Sequence, residues 1–320
     1  IISMKKTLIA LAAVAVTGVA SAQVTLYGIM DMGYGSVTTE TDAGVQTGAA
    51  TGMTSGVQSG SRWGMKGSED LGGGLTASFQ LESSITADTA ASTGFTRTSK
   101  LALGGGFGTV SFGRQYTPSF GLIGASDVAG VDGSSTNGLL TGVRADSMFM
   151  YTSPSISGLT ITAGTSGDAV ETTAGSDTKT QINDLAVKYA AGPLMVGIGS
   201  FSTQATAAGV SAAKTKQTTI VASYDMGVAT VYLNNMSSKV SGVATKETNV
   251  GVKMPMGAIT VLAGYGQNKA DSSTSSNDYT IGADYSMSKR TNAYARVFKQ
   301  QLVDAGTVTN GVYVGVRHAF

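Results

Sequence analysis

The chain consists largely of stretches of roughly ten residues in which apolar and polar side chains alternate. Residues 75–82 show the pattern clearly, with Leu, Ala, Phe and Leu at the odd positions and Thr, Ser, Gln and Glu at the even ones. Successive side chains of a β-strand point to opposite faces, so a period of two predicts strands with one apolar and one polar face. Residues 60–69 and 312–320 behave similarly, and the pattern recurs along the chain. The sequence therefore predicts an all-β fold.

Composition excludes several classes of function. The chain has 44 Gly among 320 residues, which argues against a helical protein, because Gly costs roughly 1 kcal/mol per helical position. The absence of Cys rules out disulfide scaffolds, thiolate catalysis and Cys-ligated zinc, and a single His disfavours His-rich metal sites. A formal net charge of +1 argues against nucleic-acid binding by bulk basicity. We therefore expect no metal, no cofactor and no nucleic-acid partner.

The N-terminal residues have the features of a secretory signal peptide. Lys5 and Lys6 form a positive region, residues 8–16 are apolar, and Ala20-Ser21-Ala22 matches an A-x-A cleavage site. Met4 is expected to be the true start, with the first three residues upstream of it.

A transmembrane anchor is the alternative for this segment, but the apolar run is shorter than the roughly 20 residues that a spanning helix needs. We therefore predict a signal peptide at 1–22 and one mature domain at 23–320. An exported chain without a helical anchor is periplasmic, secreted, or a β-barrel in an outer membrane.

Two kinds of connection separate the predicted strands. Short ones carry tight-turn residues. They lie at 71–74, 104–106, 157–158, 191–193, 226–227, 255–257 and 288–290. Longer ones, rich in Ser, Thr, Gly and Asp, lie at 37–58, 117–143, 167–180, 204–213, 238–245 and 268–276, with a shorter one at 302–309. Their alternation is typical of a barrel with turns at one end and loops at the other, and the count predicts sixteen strands.

A soluble β-sandwich and a β-helix are the alternative folds. Sixteen strands with polar second faces would give a soluble sandwich an enormous polar interior, whereas a barrel of this size encloses a water-filled channel. A β-helix requires a short fixed repeat, and none is visible in the sequence. The pattern favours the barrel.

Several motifs resemble the general porins of β-proteobacteria. Residues 24–31 (VTLYGIMD) look like the first strand of that family, and residues 61–75 (SRWGMKGSEDLGGGL) are similar to its second hairpin. Residues 106–118 (GFGTVSFGRQYTP) resemble the strand that enters the constriction loop, and 144–154, with RADS and YTSP, the strand that leaves it. The match extends over the whole mature chain.

The resemblance implies a 16-stranded antiparallel transmembrane β-barrel whose third loop folds into the lumen. It implies a homotrimer in the outer membrane of a Gram-negative bacterium, surrounded by lipid and lipopolysaccharide, that passes small hydrophilic solutes and ions by diffusion. The C-terminal Phe320 corresponds to the family's assembly signal, which the outer-membrane assembly machinery reads. No enzymatic activity is expected.

Basic residues in the first half of the mature chain are the candidates for the pore constriction. Arg62, Lys66, Arg97, Arg114 and Arg144 lie between positions 62 and 144. Arg62 and Lys66 fall on the polar face of their strand by parity. Three of the arginines, at 62, 114 and 144, occupy positions that resemble the arginine ladder of the family. The alternative is that these are ordinary solvated side chains.

Parity does not support every candidate. Arg114 shares parity with the apolar Val110 and Phe112, and Arg97 shares parity with the leucines at 101 and 103. Either a β-bulge shifts the alternation at these sites or the residue is not luminal.

The segment 117–143 is the candidate for the acidic side of the constriction. Asp127 and Asp132 carry its acidic charges, and a loop of this length without secondary structure is usually functional. Carboxylates facing guanidinium groups would set up a transverse field across the narrowest point. The excess of cations over these two carboxylates predicts a modest preference for anions.

Two other classes of barrel are alternatives. An outer-membrane enzyme usually needs His beside Ser or Asp, and the single His318 lies in the final strand. A substrate-specific channel or a structural adhesin barrel would share the fold. A specific sugar channel would need a run of luminal aromatic residues, which the sequence does not show.

Overall fold

The computed structural model describes residues 24–130, 135–136, 142–170, 178–271, 275–302 and 306–320. The expected signal peptide lies outside these described residues. Within them, no helix is long and apolar enough to cross a membrane. The described part of the chain is almost entirely β-structure, which confirms the predicted fold class.

The strands follow the chain order, and each pairs antiparallel with its neighbours. They are β1 (Thr25–Thr41), β2 (Gln46–Ser55), β3 (Arg62–Gly72), β4 (Leu75–Thr86), β5 (Ala91–Ser92), β6 (Thr98–Gly105), β7 (Gly108–Tyr116), β8 (Arg144–Thr152), β9 (Leu159–Val170), β10 (Thr178–Ala191), β11 (Leu194–Ala207), β12 (Val210–Ser211), β13 (Thr215–Asp225), β14 (Thr230–Val240), β15 (Val243–Met256), β16 (Ile259–Ala270), β17 (Ser276–Ser286), β18 (Thr291–Leu302) and β19 (Thr307–Ala319). A short helix, α1 (Pro118–Ser126), follows β7.

The first and last strands close the sheet into a barrel. Ile29 of β1 lies opposite Ala319 of β19 at one end of the seam, and Thr41 lies opposite Thr307 at the other. Among the described strands, this pairing joins the two ends of the sheet, so neither β1 nor β19 is an edge strand. β2 and β3 occupy one position in the barrel, because both pair with β1, and β5 and β12 are two-residue strands within connections. The barrel therefore has sixteen strands, as predicted.

The outer face is apolar and the inner face is polar. On β19, Val312, Val314 and Val316 are 55%, 58% and 47% exposed, whereas Tyr313 between them is 8% exposed. Such a surface would be unfavourable in water, by about 25 cal/mol per Å² of apolar area, and is stable against lipid. The alternation along each strand thus separates a lipid-facing side from a luminal side.

The short connections lie where the sequence predicts them, but several predicted loops are in fact strand. β1 continues to Thr41 and β2 runs from Gln46 to Ser55. The predicted loop 37–58 therefore contains the end of β1, a tight turn and all of β2. Likewise β14 and β15 are separated only by residues 241–242. Strands that extend beyond the apolar band keep their backbone hydrogen bonds and need no apolar face, which is why hydropathy does not reveal them.

The helix α1 packs against the luminal faces of β10, β11 and β13. Pro118 lies in its first turn, where the missing N–H of proline costs nothing. The backbone N–H of Ser119 donates to Asp184 Oδ2 at 2.8 Å, and Asn234 Nδ2 donates to Ser126 Oγ at 3.3 Å. These polar contacts hold α1, which begins the predicted third loop (residues 117–143), against the inside of the barrel wall.

Two luminal glycines make room for this loop. A Cβ on Gly197 would lie 2.7 Å from Cδ2 of Leu122, and a Cβ on Gly251 would lie 2.6 Å from Cβ of Val128. Both distances are far shorter than ordinary van der Waals contact, so any larger residue would displace the loop.

Candidate functional site

Three arginines line one luminal cavity of about 370 Å³. We call this space the constriction cavity. Its lining comprises Ser59, Arg62, Arg97, Tyr116, Phe120, Gly121, Gly124, Gly130, Val143 and Arg144. The residues come from the barrel wall on one side and from α1 and the following segment on the other. The cavity is therefore bounded both by the barrel wall and by the segment 118–130.

Each arginine reaches the cavity for a different local reason. Arg62, the first residue of β3, lies opposite Ile29 and Ser84 and has the luminal parity predicted from the sequence. Arg144 begins β8 opposite Tyr116. Arg97 precedes β6, so strand parity does not apply to it. Its backbone N–H donates to the carbonyl of Glu82 at 3.1 Å.

Glu82 is the carboxylate partner of this group. Arg97 Nε donates to Glu82 Oε1 at 2.7 Å, and the two side chains are only 13% and 8% exposed. The hydroxyl of Tyr27 donates to Glu82 Oε2 at 3.0 Å and accepts from Gln80 Nε2 at 2.7 Å. Both carboxylate oxygens are thus bound on the wall. We did not select Glu82 from the sequence, although its place on the polar face of residues 75–82 marks it as luminal.

Tyr116 links the guanidinium groups of Arg97 and Arg144. Its hydroxyl accepts from Arg144 Nη2 at 2.6 Å and from Arg97 Nη2 at 3.3 Å. The guanidinium carbon of Arg144 lies 4.2 Å from the centroid of the tyrosine ring, and that ring stacks on Phe120 of α1 at 4.7 Å. Cation–π contacts of this kind contribute about 0.5–2 kcal/mol. Arg144 is therefore fixed between the wall and the third loop.

The guanidinium groups retain unused donors. The Nε atoms of Arg62 and Arg144 are buried and have no hydrogen-bond partner among the described residues. A buried donor without a partner is unfavourable. Among the described residues, three arginines and no carboxylate line the constriction cavity, and Glu82 beside it pairs with Arg97, so this part of the structure carries an excess of positive charge. We call Arg62, Arg97 and Arg144 the arginine wall.

Arg114 does not line the constriction cavity. Its Nη1 pairs with Asp146 Oδ1 at 2.5 Å, and its Nε donates to the carbonyl of Thr96. The register between β7 and β8 shifts between Gly113 and Gln115, and Gly113 has a φ of +115°. The strand register is thus irregular at Arg114, which is one of the two alternatives that its parity left open, and Asp146 offsets the charge of Arg114.

Lys66 lies in a separate luminal cavity of about 310 Å³. Gln80 and Lys100 also line it, and Lys100 lies opposite Gln80 in the register of β4 and β6. Lys66 Nζ is 5.3 Å from the ring centroid of Tyr27. Both lysines thus share the luminal face, between the arginine wall and the short turn that joins β3 to β4.

Asp127 is buried within the third loop and is 5% exposed. Its Oδ1 accepts from the backbone N–H groups of Ala129 at 2.7 Å and Gly130 at 3.1 Å, and the hydroxyl of Ser135 donates to its Oδ2. These bonds shape the turn that follows α1. Asp132 lies outside the described residues.

The C-terminal residue closes the seam of the barrel. The backbone of Phe320 exchanges two hydrogen bonds with Gly28 of β1, both at 3.1 Å, and its side chain is 44% exposed. His318 pairs through Nδ1 with the hydroxyl of Thr291 at 2.8 Å. Among the described residues, no group of three or more His, Cys, Asp or Glu side chains is arranged to hold a metal ion.

Comparisons with known proteins agree with this geometry. A family model described as "Gram-negative porin" matches residues 7–301. Outer membrane porin protein 32 of Delftia acidovorans is 32% identical, over 99% of this chain and 100% of that protein. A solved anion-selective porin from Comamonas acidovorans is 26% identical with a TM-score of 0.81, covering 94% of this chain and 100% of the other. The trimer form of OmpT from Vibrio cholerae, 17% identical with a TM-score of 0.66, covers 93% of this chain and 99% of its own and shares the fold.

Proposed function

The chain belongs to the Gram-negative porin family and forms a passive diffusion channel in the outer membrane, and we propose that the arginine wall makes this channel prefer anions. The observation that carries the proposal is that, among the described residues, three arginines and no carboxylate line one cavity, and Glu82 pairs with only one of them, Arg97. The similar porin from Comamonas acidovorans, described as anion-selective, supports it.

Electrostatics sets the size of the expected preference. A unit charge 4–8 Å from a permeating ion in a water-filled pore contributes about 0.5–1 kcal/mol. Because about 1.4 kcal/mol corresponds to a tenfold ratio, one unpaired arginine changes the relative permeability of anions and cations by roughly two- to fivefold. The low-dielectric protein around the cavity focuses this field.

The free donors of the arginine wall are suited to transient anion contacts. The side chains of Arg62 and Arg144 are half-buried and line the cavity, so their guanidinium N–H groups that face the lumen can donate to chloride, phosphate or a carboxylate. Lys66 and Lys100 continue the positive charge toward the short-turn end. Several weak sites in series attract an anion without trapping it, which conduction requires.

Asp127, Asp132 and Arg114 have smaller proposed effects on the field in the pore. Asp127 acts on the acidic side through the shape of the third loop, since its carboxylate binds loop amides, and Asp132 supplies a further negative charge. Arg114 modulates the field less than the arginine wall does, because Asp146 offsets it.

We also propose how the chain is exported and assembled. The signal peptide at 1–22 directs export, Phe320 is read by the outer-membrane assembly machinery, and three copies assemble in a membrane of lipid and lipopolysaccharide. The trimer form of OmpT from Vibrio cholerae, which shares the fold, supports the oligomer. We also propose that the protein has no enzymatic activity, because its family and fold are those of passive channels.

Reversal potentials in a planar bilayer under a KCl gradient test the proposed selectivity. We expect wild-type channels to prefer chloride, and Arg62→Ala to lower the chloride-to-potassium permeability ratio roughly two- to fivefold. Arg290→Ala is the matched control, because this arginine lies in the short turn between β17 and β18. Preference of the wild type for potassium would overturn the proposal.

A further inference from the structure

A six-residue segment interrupts the barrel wall between β2 and β3. Both strands pair with β1, and the flanking pairs are Met32 with Ser55 and Ile29 with Arg62. Between these pairs, β1 contributes two residues and the other side contributes residues 56–61. The four additional residues cannot stay in the sheet and must leave its plane. We call residues 56–61 the inner turn.

The inner turn folds toward the lumen. Val57 is 4% exposed and packs with Tyr294, Phe298 and Tyr313. Tyr313 lies on the luminal face of β19, because the valines on either side of it are lipid-facing. The side chain of Gln58 accepts from Asn292 Nδ2 at 2.8 Å. The turn therefore crosses over β1 and rests on the inner faces of β18 and β19.

Asp31 holds the inner turn in this position. Its side chain is fully buried, and its Oδ2 accepts from the backbone N–H groups of Gln58 at 2.8 Å and Ser59 at 2.5 Å. Its Oδ1 accepts from the hydroxyl of Tyr294 at 2.6 Å. The backbone carbonyl of Asp31 also accepts from Gly56 N–H at 3.0 Å. Removing this carboxylate would leave two partly buried backbone N–H groups without their acceptor.

The inner turn also forms part of the constriction. Ser59 lines the constriction cavity together with the arginine wall, and Arg62 directly follows the turn. Gly130 of the third loop lines the same cavity, and a Cβ there would lie 3.8 Å from the carbonyl oxygen of Gln58. The third loop and the inner turn thus meet across the lumen.

We propose that the inner turn is a second constriction element of the pore and that Asp31 is its positioning residue. The inference rests on the proposed channel function. The bore and its ion preference then depend on a break in the wall as well as on the third loop. A permeating ion passes the hydroxyl of Ser59 and the backbone of the inner turn. Asp31 keeps both in place but does not itself contact the ion.

Cysteine modification tests whether Ser59 lines the ion path. The chain contains no Cys, so Ser59→Cys creates a single reactive thiol. We expect a thiol reagent carrying a sulfonate to lower the chloride-to-potassium permeability ratio about twofold, and one carrying an ammonium group to raise it. Ser288→Cys, exposed in the short turn between β17 and β18, is the matched control and should conduct unchanged after modification.

Variants of Asp31 test the positioning role. We expect Asp31→Ala to raise single-channel conductance about twofold and to reduce the effect of the sulfonate reagent at Ser59→Cys. Asp31→Asn keeps an oxygen acceptor for the two amides and should restore most of the wild-type behaviour. Asp278→Ala is the control, since it removes a buried carboxylate on β17 that binds Gln301 N–H and Asn268 rather than the inner turn.

The outcomes separate the two proposals. Wild-type channels without anion preference would contradict the proposed function. Anion-preferring channels that are indifferent to modification at Ser59→Cys would overturn the inner turn as a constriction element. If Asp31→Ala does not assemble, Tyr294→Phe, which removes the hydroxyl bond to Asp31, replaces it. Equal behaviour of this variant and Asp278→Ala would then overturn the positioning role.

Discussion

Arg97 Nε lies 2.7 Å from Glu82 Oε1, although Arg97 shares the parity of the lipid-facing Leu101 and Leu103 in the strand that follows it. The residue precedes β6, and its backbone bonds to Glu82, so its side chain turns into the lumen. The ion pair is nearly buried and belongs to the wall of the constriction cavity. Because Glu82 offsets the charge of Arg97, this pair determines how much net positive charge of the arginine wall acts on permeating ions.

Glu82→Gln should strengthen the preference for anions. The substitution removes the carboxylate that offsets Arg97, so one additional positive charge acts on the pore. We expect the chloride-to-potassium permeability ratio to rise about two- to fivefold, measured as a reversal potential. Glu69→Gln, on the exposed end of β3, is the control and should leave the ratio within error. A lower ratio for Glu82→Gln would count against the role of this pair.

Arg144→Lys should separate charge from geometry. Lysine keeps the positive charge but cannot stack on the ring of Tyr116 or offer two parallel N–H bonds to an oxyanion. We expect chloride selectivity close to that of the wild type and weaker block of chloride current by added phosphate, by about threefold. Unchanged block by phosphate would show that the planar guanidinium is dispensable.

Gly197→Val should disturb the third loop. Its Cβ would lie 2.7 Å from Leu122, so α1 must move away from the wall. Overpacking of this kind costs about 1–3 kcal/mol, and we expect a lower unfolding midpoint in heat denaturation together with noisier, larger currents. Gly52→Ala has no atom within 4 Å of its new Cβ and is the matched control. Wild-type stability and current in Gly197→Val would exclude a close contact there.

Ion preference should weaken as salt concentration rises. The Debye length falls from about 10 Å at 0.1 M to about 3 Å at 1 M, so the arginine wall acts over a shorter distance. We expect the permeability ratio to approach that of free diffusion when the same gradient is measured at tenfold higher salt. A ratio independent of salt would indicate selection by pore size instead of charge.

Removal of the signal peptide should expose Gln23. Intact mass analysis of the protein from outer membranes should give a chain of residues 23–320. Ala22→Leu, which places a large side chain at the cleavage site, should accumulate the longer precursor. Ala15→Leu, in the apolar region, is the control and should be processed normally. A mature chain that retains Lys5 and Lys6 would contradict the signal assignment.

The barrel was predictable because its main signal is local. A period of two reports which face of a strand each residue occupies, whatever its partner strand. The short turns punctuate that pattern, so sixteen strands could be counted without pairing information. The ends of the strands were not predictable, because a ladder with water on both faces has no hydropathy signal. β1 and β2 therefore extend through most of a segment that reads as a loop.

The cavity that we propose as the constriction was predictable only in part. Parity places Arg62 on the face that lines this cavity, whereas Arg97 lines it from outside a strand, and Arg114, at an irregularity in the register, pairs with Asp146. Glu82 and Tyr116 gain their roles from partners 15 and 28 positions away in the chain. Such contacts depend on which residues of neighbouring strands lie opposite each other. The sequence of one strand does not determine this pairing.

The sequence by itself determined the period, the number of strands and the face that residues within regular strands present, because these depend on neighbouring residues. Only the tertiary structure decided that Arg62, Arg97 and Arg144 share one cavity, and that Asp31 draws the inner turn into the lumen. Closure of the barrel brings together groups far apart in the chain, and their charges then interact across a few ångströms. The barrel strands follow from local alternation of side chains, whereas the lining of the pore depends on contacts between residues that are distant in the chain.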